Sequence, residues 1–137
     1  MSTIERTAVI PESHADLLES TALAHVATIG PRGEPQANPV WFAWDGRHLR
    51  FSQTSTRQKQ KNLERDQRVA ISIVDPENPY RYLEIRGKRV RVEPDPDQAF
   101  IDAMASKYLG VEKYPWNQPG DERLVIVIEP EHTTSMG

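Results

Sequence analysis

The chain has 137 residues, 37% of them hydrophobic, with eleven prolines, no cysteine and a net charge of −3. That length supports one domain over residues 1–137, the charge argues against a general nucleic-acid binder, and the missing cysteines exclude disulfides and thiolate-ligated metals. The longest apolar runs, residues 69–74 and 124–128, are strand length and far from a membrane span, and no basic stretch followed by an apolar one opens the chain, so a cytoplasmic protein is expected.

In chain order, residues 11–20 read as a short helix burying Leu17 and Leu18. Residues 23–29 read as a strand, residues 30–35 as a Gly/Pro turn, and residues 36–44 as a second strand rich in Val, Phe and Trp. Asp45-Gly46 signals a hairpin turn into a third strand, residues 49–53. A helix follows over residues 57–66, then a strand at 69–74 and a loop at 75–79.

Residues 82–92 read as a long strand with a change of phase. Leu83 and Ile85 are apolar at odd positions, Val90 and Val92 at even ones. A period of two cannot keep both pairs on one face without an extra residue, and Gly87 is the expected bulge. Residues 95–109 form a helix by the spacing of Phe100, Ile101, Met104 and Tyr108, with Pro96 in its first turn and Asp95-Pro96-Asp97 as helix-start chemistry rather than a metal site. Tyr114-Pro115-Trp116-Asn117 is an aromatic loop. Residues 124–128 are the last strand, and residues 129–137 read as a brief polar tail.

This order gives a mainly β fold with short helices. Hairpins require antiparallel pairing, and six short strands with a bulged corner favour a small closed barrel over a doubly wound sheet. No Gly-rich turn joins a first strand to a helix, so a Rossmann site is not supported.

The most informative segment joins the third strand to the helix. Thr54, Ser55 and Thr56 place three hydroxyls at the helix start, and Arg57 and Lys59 follow. Helix N-termini attract anions, and hydroxyls and cations add charge-assisted hydrogen bonds to phosphate. A phosphate pocket is one reading; a capped helix with a solvated basic face is the other. None of the four histidines forms a spaced metal pair, and structural or surface roles are expected for them, with His25 as a possible partner for a buried polar group. Glu84 and Arg86 alternate on one strand face as a structural charge pair. No catalytic residue is assigned and no metal site is expected.

Ala24-His25-Val26-Ala27-Thr28 before a Gly/Pro turn, Pro39-Val40-Trp41-Phe42, Asp45-Gly46, the run from Arg57 to Leu63, Asp66-Gln67-Arg68-Val69 and the run from Tyr82 to Gly87 form an ordered set. With it the chain resembles the split β-barrel flavin/deazaflavin oxidoreductases, the superfamily of the pyridoxamine 5′-phosphate oxidases, and within it the short branch that uses coenzyme F420. The resemblance implies a six-stranded antiparallel split β-barrel, a homodimer, and cofactor grooves between protomers. It implies that Arg57 and Lys59 hold the cofactor phosphate with Thr54, Ser55 and Thr56. Pro39, Val40 and Trp41 would line the ring beside Gln53, and Asn78, Pro79 and Tyr80 would arrive from the other protomer. Lys61, Arg65 and Arg81 would meet an acidic polyglutamate tail. Trp41, Tyr114 and Trp116 would stack on ring or substrate, or pack.

The implied activity is hydride transfer from reduced F420 to a conjugated small molecule such as an enone, a quinone-like compound or a tetrapyrrole. The chemistry would belong to the cofactor, and the proton source stays open between water, Tyr80, Tyr114 and a nearby arginine. An FMN-dependent oxidase of the pyridoxamine-phosphate type and a non-catalytic F420-binding or storage protein are the alternatives.

Overall fold

The structure, a computed structural model, describes residues 9–137; the first eight residues, part of the stretch read for a secretory signal, lie outside it. Seven strands form one antiparallel sheet: β1 (Ala24–Ile29), β2 (Pro35–Val40), β3 (Ala43–Trp44), β4 (Leu49–Thr54), β5 (Arg68–Asp75), β6 (Asn78–Pro94) and β7 (Arg123–Met136). Their order is β2-β1-β5-β6-β7-β4-β3. Two α-helices interrupt them, α1 (Gln58–Arg65) and α2 (Ala99–Leu109), and a 3-10 helix, Glu12–Glu19, precedes them. No helix among the described residues is long and apolar enough to cross a membrane.

The count is seven strands, not the expected six, because residues 36–44 divide at Trp41-Phe42. The Phe42 N–H donates to the Tyr108 hydroxyl at 3.2 Å, and its carbonyl accepts from Lys107 Nζ at 2.8 Å. Side chains of α2 thus take the backbone groups that a strand ladder would use.

The sheet is also not closed by hydrogen bonds, since β2 and β3 are its two edges. Yet only Trp41 and Phe42 separate those edges, and three peptide links reach at most about 11 Å. The sheet must therefore curl until its edges meet at that corner, which makes it a split barrel.

Alternation fills the inside. Ala24 and Val26 of β1, Leu49 and Phe51 of β4, Ile71 and Ile73 of β5, Leu83 and Ile85 of β6, and Ile126 and Ile128 of β7 make one buried cluster. Leu17 and Leu18 of the 3-10 helix close it from one side, as their pattern predicts, and Leu63 of α1 joins them.

The phase change in β6 is real but sits at Val90. Arg89 pairs with Ile128 and Arg91 with Val127, so Val90 is the extra residue, and it is exposed. At Gly87 the extra residue is on the neighbouring strand: Arg86 pairs with His132 and Gly87 with Pro130, skipping Glu131. Gly87 serves close approach instead, because a Cβ there would collide with the Glu129 carbonyl oxygen.

Two further boundaries differ from expectation. Residues 129–136 are not a tail but the second half of β7, paired with β6 from Lys88 back to Tyr82. The second helix starts at Ala99 rather than 95, because Gln98 adopts a left-handed φ of 61°. Pro96 therefore lies in the preceding turn. Asp95 still performs helix-start chemistry, its buried carboxylate accepting from the Phe100 and Ile101 N–H groups at 3.2 and 3.3 Å.

Two histidines are structural. His14 Nε2 bonds the Met136 carbonyl at 2.9 Å, and His48 Nε2 bonds Glu129 Oε1 at 2.9 Å. His25 is exposed and bonds no buried polar group among the described residues.

Candidate functional site

Strand β4 ends at Thr54 and α1 begins at Gln58. In between, the Ser55 N–H donates to the Glu122 carbonyl at 3.0 Å and the Arg57 N–H to the Thr54 carbonyl at 3.1 Å, a turn that fixes the helix entry. Arg57 is the N-cap residue, and no side chain caps the helix. The first-turn N–H groups therefore lack an intrahelical or side-chain acceptor.

Asn62 holds this helix to the barrel. It is fully buried, and its Nδ2 donates to Thr28 Oγ1 and Gln36 Oε1, both at 3.0 Å. The α1 start is thereby pinned against β1 and β2.

Lys59 is the unusual member. It is 5% exposed, yet among the described residues its Nζ donates only to a neutral amide, Asn38 Oδ1, at 3.1 Å. No carboxylate among the described residues lies within ion-pairing distance of it or of Arg57. Burial holds the Lys59 ammonium below its usual range, and the Arg57 charge pushes it down further. A buried cation without a counter-charge is costly. Lys59, with the exposed Arg57 beside it at a helix N-terminus, makes a place for an anion.

A cleft of about 330 Å³ opens beside this point. Six of the residues expected to hold the cofactor line it, Pro39, Val40, Trp41, Gln53, Thr54 and Arg57, and so do the expected stacking residues Tyr114 and Trp116. Lys59 does not line it but bonds Asn38, the neighbour of Pro39, and Ser55 and Thr56 occupy the turn without lining it. Asn78, Pro79 and Tyr80 lie elsewhere, at the exposed β5–β6 connection, and do not line the cleft within one chain.

Of the three residues proposed for an acidic tail, Arg81 is engaged: Asp16 and Asp75 pair with it at 2.6 and 2.9 Å. Arg65 donates to the Ile29 carbonyl at 2.7 Å. Lys61 is exposed on α1.

One wall is aromatic. Trp41 stacks on Tyr108 and meets Tyr114 edge-on at 6.0 Å, and Tyr114 meets Trp116 edge-on at 5.6 Å. Leu23, Ser52, Ile101, Met104 and Arg123 complete the lining and were not foreseen. Ile101 and Met104 show helical spacing in the sequence, but nothing local says that their helix roofs a cleft. Arg123 comes from the first residue of β7 and reaches the site because it pairs with Thr54.

Comparison with known proteins bears on the family and the fold. The profile of the family described as pyridoxamine 5′-phosphate oxidase matches residues 10–137. Among solved structures, an F420 reductase is 42% identical, with a TM-score of 0.83 over 91% of this chain and 98% of that one. A conserved hypothetical protein from Mycobacterium tuberculosis is 25% identical, with a TM-score of 0.72 over 93% of this chain and 85% of that one. HupZ from Group A Streptococcus, at 22% identity and a TM-score of 0.65 over 92% and 93%, shares the fold. No curated protein matches the sequence.

Proposed function

Because the chain belongs to the pyridoxamine 5′-phosphate oxidase family, a family of oxidoreductases, we propose that it uses coenzyme F420 to reduce a conjugated small molecule. The observation that carries the reading is Lys59, a buried ammonium with no carboxylate partner among the described residues, beside the equally unpaired Arg57. A cofactor phosphate supplies the missing negative charge. Its oxygens would accept from Lys59 Nζ, the Arg57 guanidinium and the uncapped N–H groups of α1. The resemblance to an F420 reductase at 42% identity favours the deazaflavin over FMN.

When bound, the deazaflavin supplies the hydride. The chain's own part is to bind and orient it. Strand β2 is an edge, so its outward N–H and C=O groups are unpaired and can bond the polar rim of a flat ring. Pro39 is tolerated there because an edge strand can lose a donor. Trp41, Tyr114 and Trp116 add flat aromatic faces to the same cleft.

The reading includes a homodimer in which Asn78, Pro79 and Tyr80 enter the partner's groove. Tyr80 is 80% exposed, as an aromatic side chain that awaits a second protomer would be. A cytoplasmic protein fits this chemistry.

Parallel titration of the purified protein with F420 and FMN tests the proposal. Micromolar or tighter F420 binding with much weaker FMN binding is expected, followed by oxidation of reduced F420 with an enone or quinone acceptor. Preference for FMN would replace the deazaflavin, and tight F420 binding without turnover on any acceptor would make the chain a carrier.

A further inference from the structure

The fold treats its half-buried arginines in two ways. Arg50 pairs with Asp45 and Glu93, Arg81 with Asp16 and Asp75, and Arg89 with Glu64. Arg123 is also half-buried, and it lines the cleft. No carboxylate among the described residues pairs with it. Its guanidinium makes two long bonds to neutral groups, from Nε to Asn117 Oδ1 at 3.3 Å and from Nη1 to Ser52 Oγ at 3.4 Å.

Its position is nevertheless fixed. The guanidinium carbon lies 4.8 Å from the centre of the Tyr114 ring, within the range of a cation–π contact. That ring is edge-on to both Trp41 and Trp116. Arg123 thus touches the aromatic wall of the cleft through Tyr114, while its backbone pairs with Thr54 at the entry to α1. A guanidinium fork binds a carboxylate through two parallel hydrogen bonds, and the flat rings beside it suit a conjugated body.

We propose that Arg123 recognises the carboxylate of the acceptor, so that the cleft selects flat conjugated molecules that carry an acid group. The proposal rests on the deazaflavin reading for what is then reduced, but the recognition belongs to this chain alone. The long bonds to Ser52 and Asn117 hold the guanidinium in place and yield readily to a charged acceptor, since a hydrogen bond between charged partners is about twice as strong as a neutral one.

The test is a nuclear magnetic resonance titration that follows the indole N–H signals. Trp41 and Trp116 line the cleft, while Trp44 does not and serves as the internal control. The probes are cinnamate and methyl cinnamate, added to the protein with and without F420. Cinnamate is expected to shift the Trp41 and Trp116 signals with a Kd about tenfold below that of the ester. Arg123→Gln should abolish this difference, and Arg123→Lys should keep most of it.

Equal binding of acid and ester by the wild-type protein overturns the proposal. So does an Arg123→Gln variant that loses F420 affinity as much as cinnamate affinity, because Arg123 would then serve the cofactor. Failure of the wild type to bind F420 would sink the deazaflavin reading alone, since the acid–ester comparison on the cofactor-free protein still reports on Arg123.

Discussion

The indole of Trp41 lies parallel to the ring of Tyr108, with centroids 5.4 Å apart and planes 7° from coplanar. The same tyrosine ties the break in the sheet: its hydroxyl donates to the Ala22 carbonyl at 2.7 Å and accepts from the Phe42 N–H. One side chain on α2 therefore both stops strand β2 and aims an aromatic wall of the cleft. Burial raises the Tyr108 phenol above its ordinary range, so it stays protonated as a donor at neutral pH.

Tyr108→Phe keeps the ring stack and removes both bonds. It should cost about 1–2 kcal/mol of stability, because the Phe42 N–H loses its partner. Urea unfolding measures this. A Tyr108→Leu variant also loses the stack and should cost about 1 kcal/mol more.

Lys59→Met and Arg57→Ala should each weaken F420 binding by about 1.5–3 kcal/mol, the worth of a charged hydrogen bond. Without cofactor the two should separate. Lys59→Met removes a buried, uncompensated charge and should leave stability unchanged or raise it by about 1 kcal/mol. If both variants bind F420 like the wild type, the anion site is wrongly placed.

The depressed Lys59 also predicts a pH dependence. Its folded-state pKa lies below the ordinary 10.5, so between the two values the unfolded chain binds more protons than the folded one. Stability of the cofactor-free protein should therefore rise as pH climbs toward 10.5. Denaturant midpoints measured across that alkaline range should show the slope in the wild type, and Lys59→Met should reduce it.

Gly87→Ala should cost at least about 3 kcal/mol, because the new methyl meets the β7 backbone rather than a side chain that can swing away. Lys88→Ala, one residue on, removes only a partly exposed pair with Glu131 at 3.6 Å and should change stability by about 0.5 kcal/mol or less. Thermal unfolding compares the two.

What could be read from the sequence was local. The α1 start, with Thr54, Arg57 and Lys59, lies within six residues, and the β3–β4 hairpin was announced by Asp45-Gly46, where Gly46 has a φ of 95°. The second half of β7 was hidden because Glu129 to Ser135 is polar and contains Pro130, which argues against a strand. That proline is tolerated because β4 pairs only as far as Ile128, leaving β7 with a single neighbour beyond. The break after Val40 was hidden for the opposite reason. Residues 40–44 are strand formers apart from Ala43, and the groups that interrupt them, Lys107 and Tyr108, are more than sixty residues away. Arg123 escaped notice likewise, since only its pairing with Thr54 brings it to the cleft.

Strand β7 stands between β6 on one side and the β4–β3 pair on the other. Until residues 123–136 leave the ribosome, β3 and β4 have no neighbour to join them to the remaining four strands. The earlier hairpins, β1–β2 and β5–β6, can form during synthesis. The barrel, and with it the register that sets Arg123 against Thr54, can assemble only after nearly the whole chain has emerged.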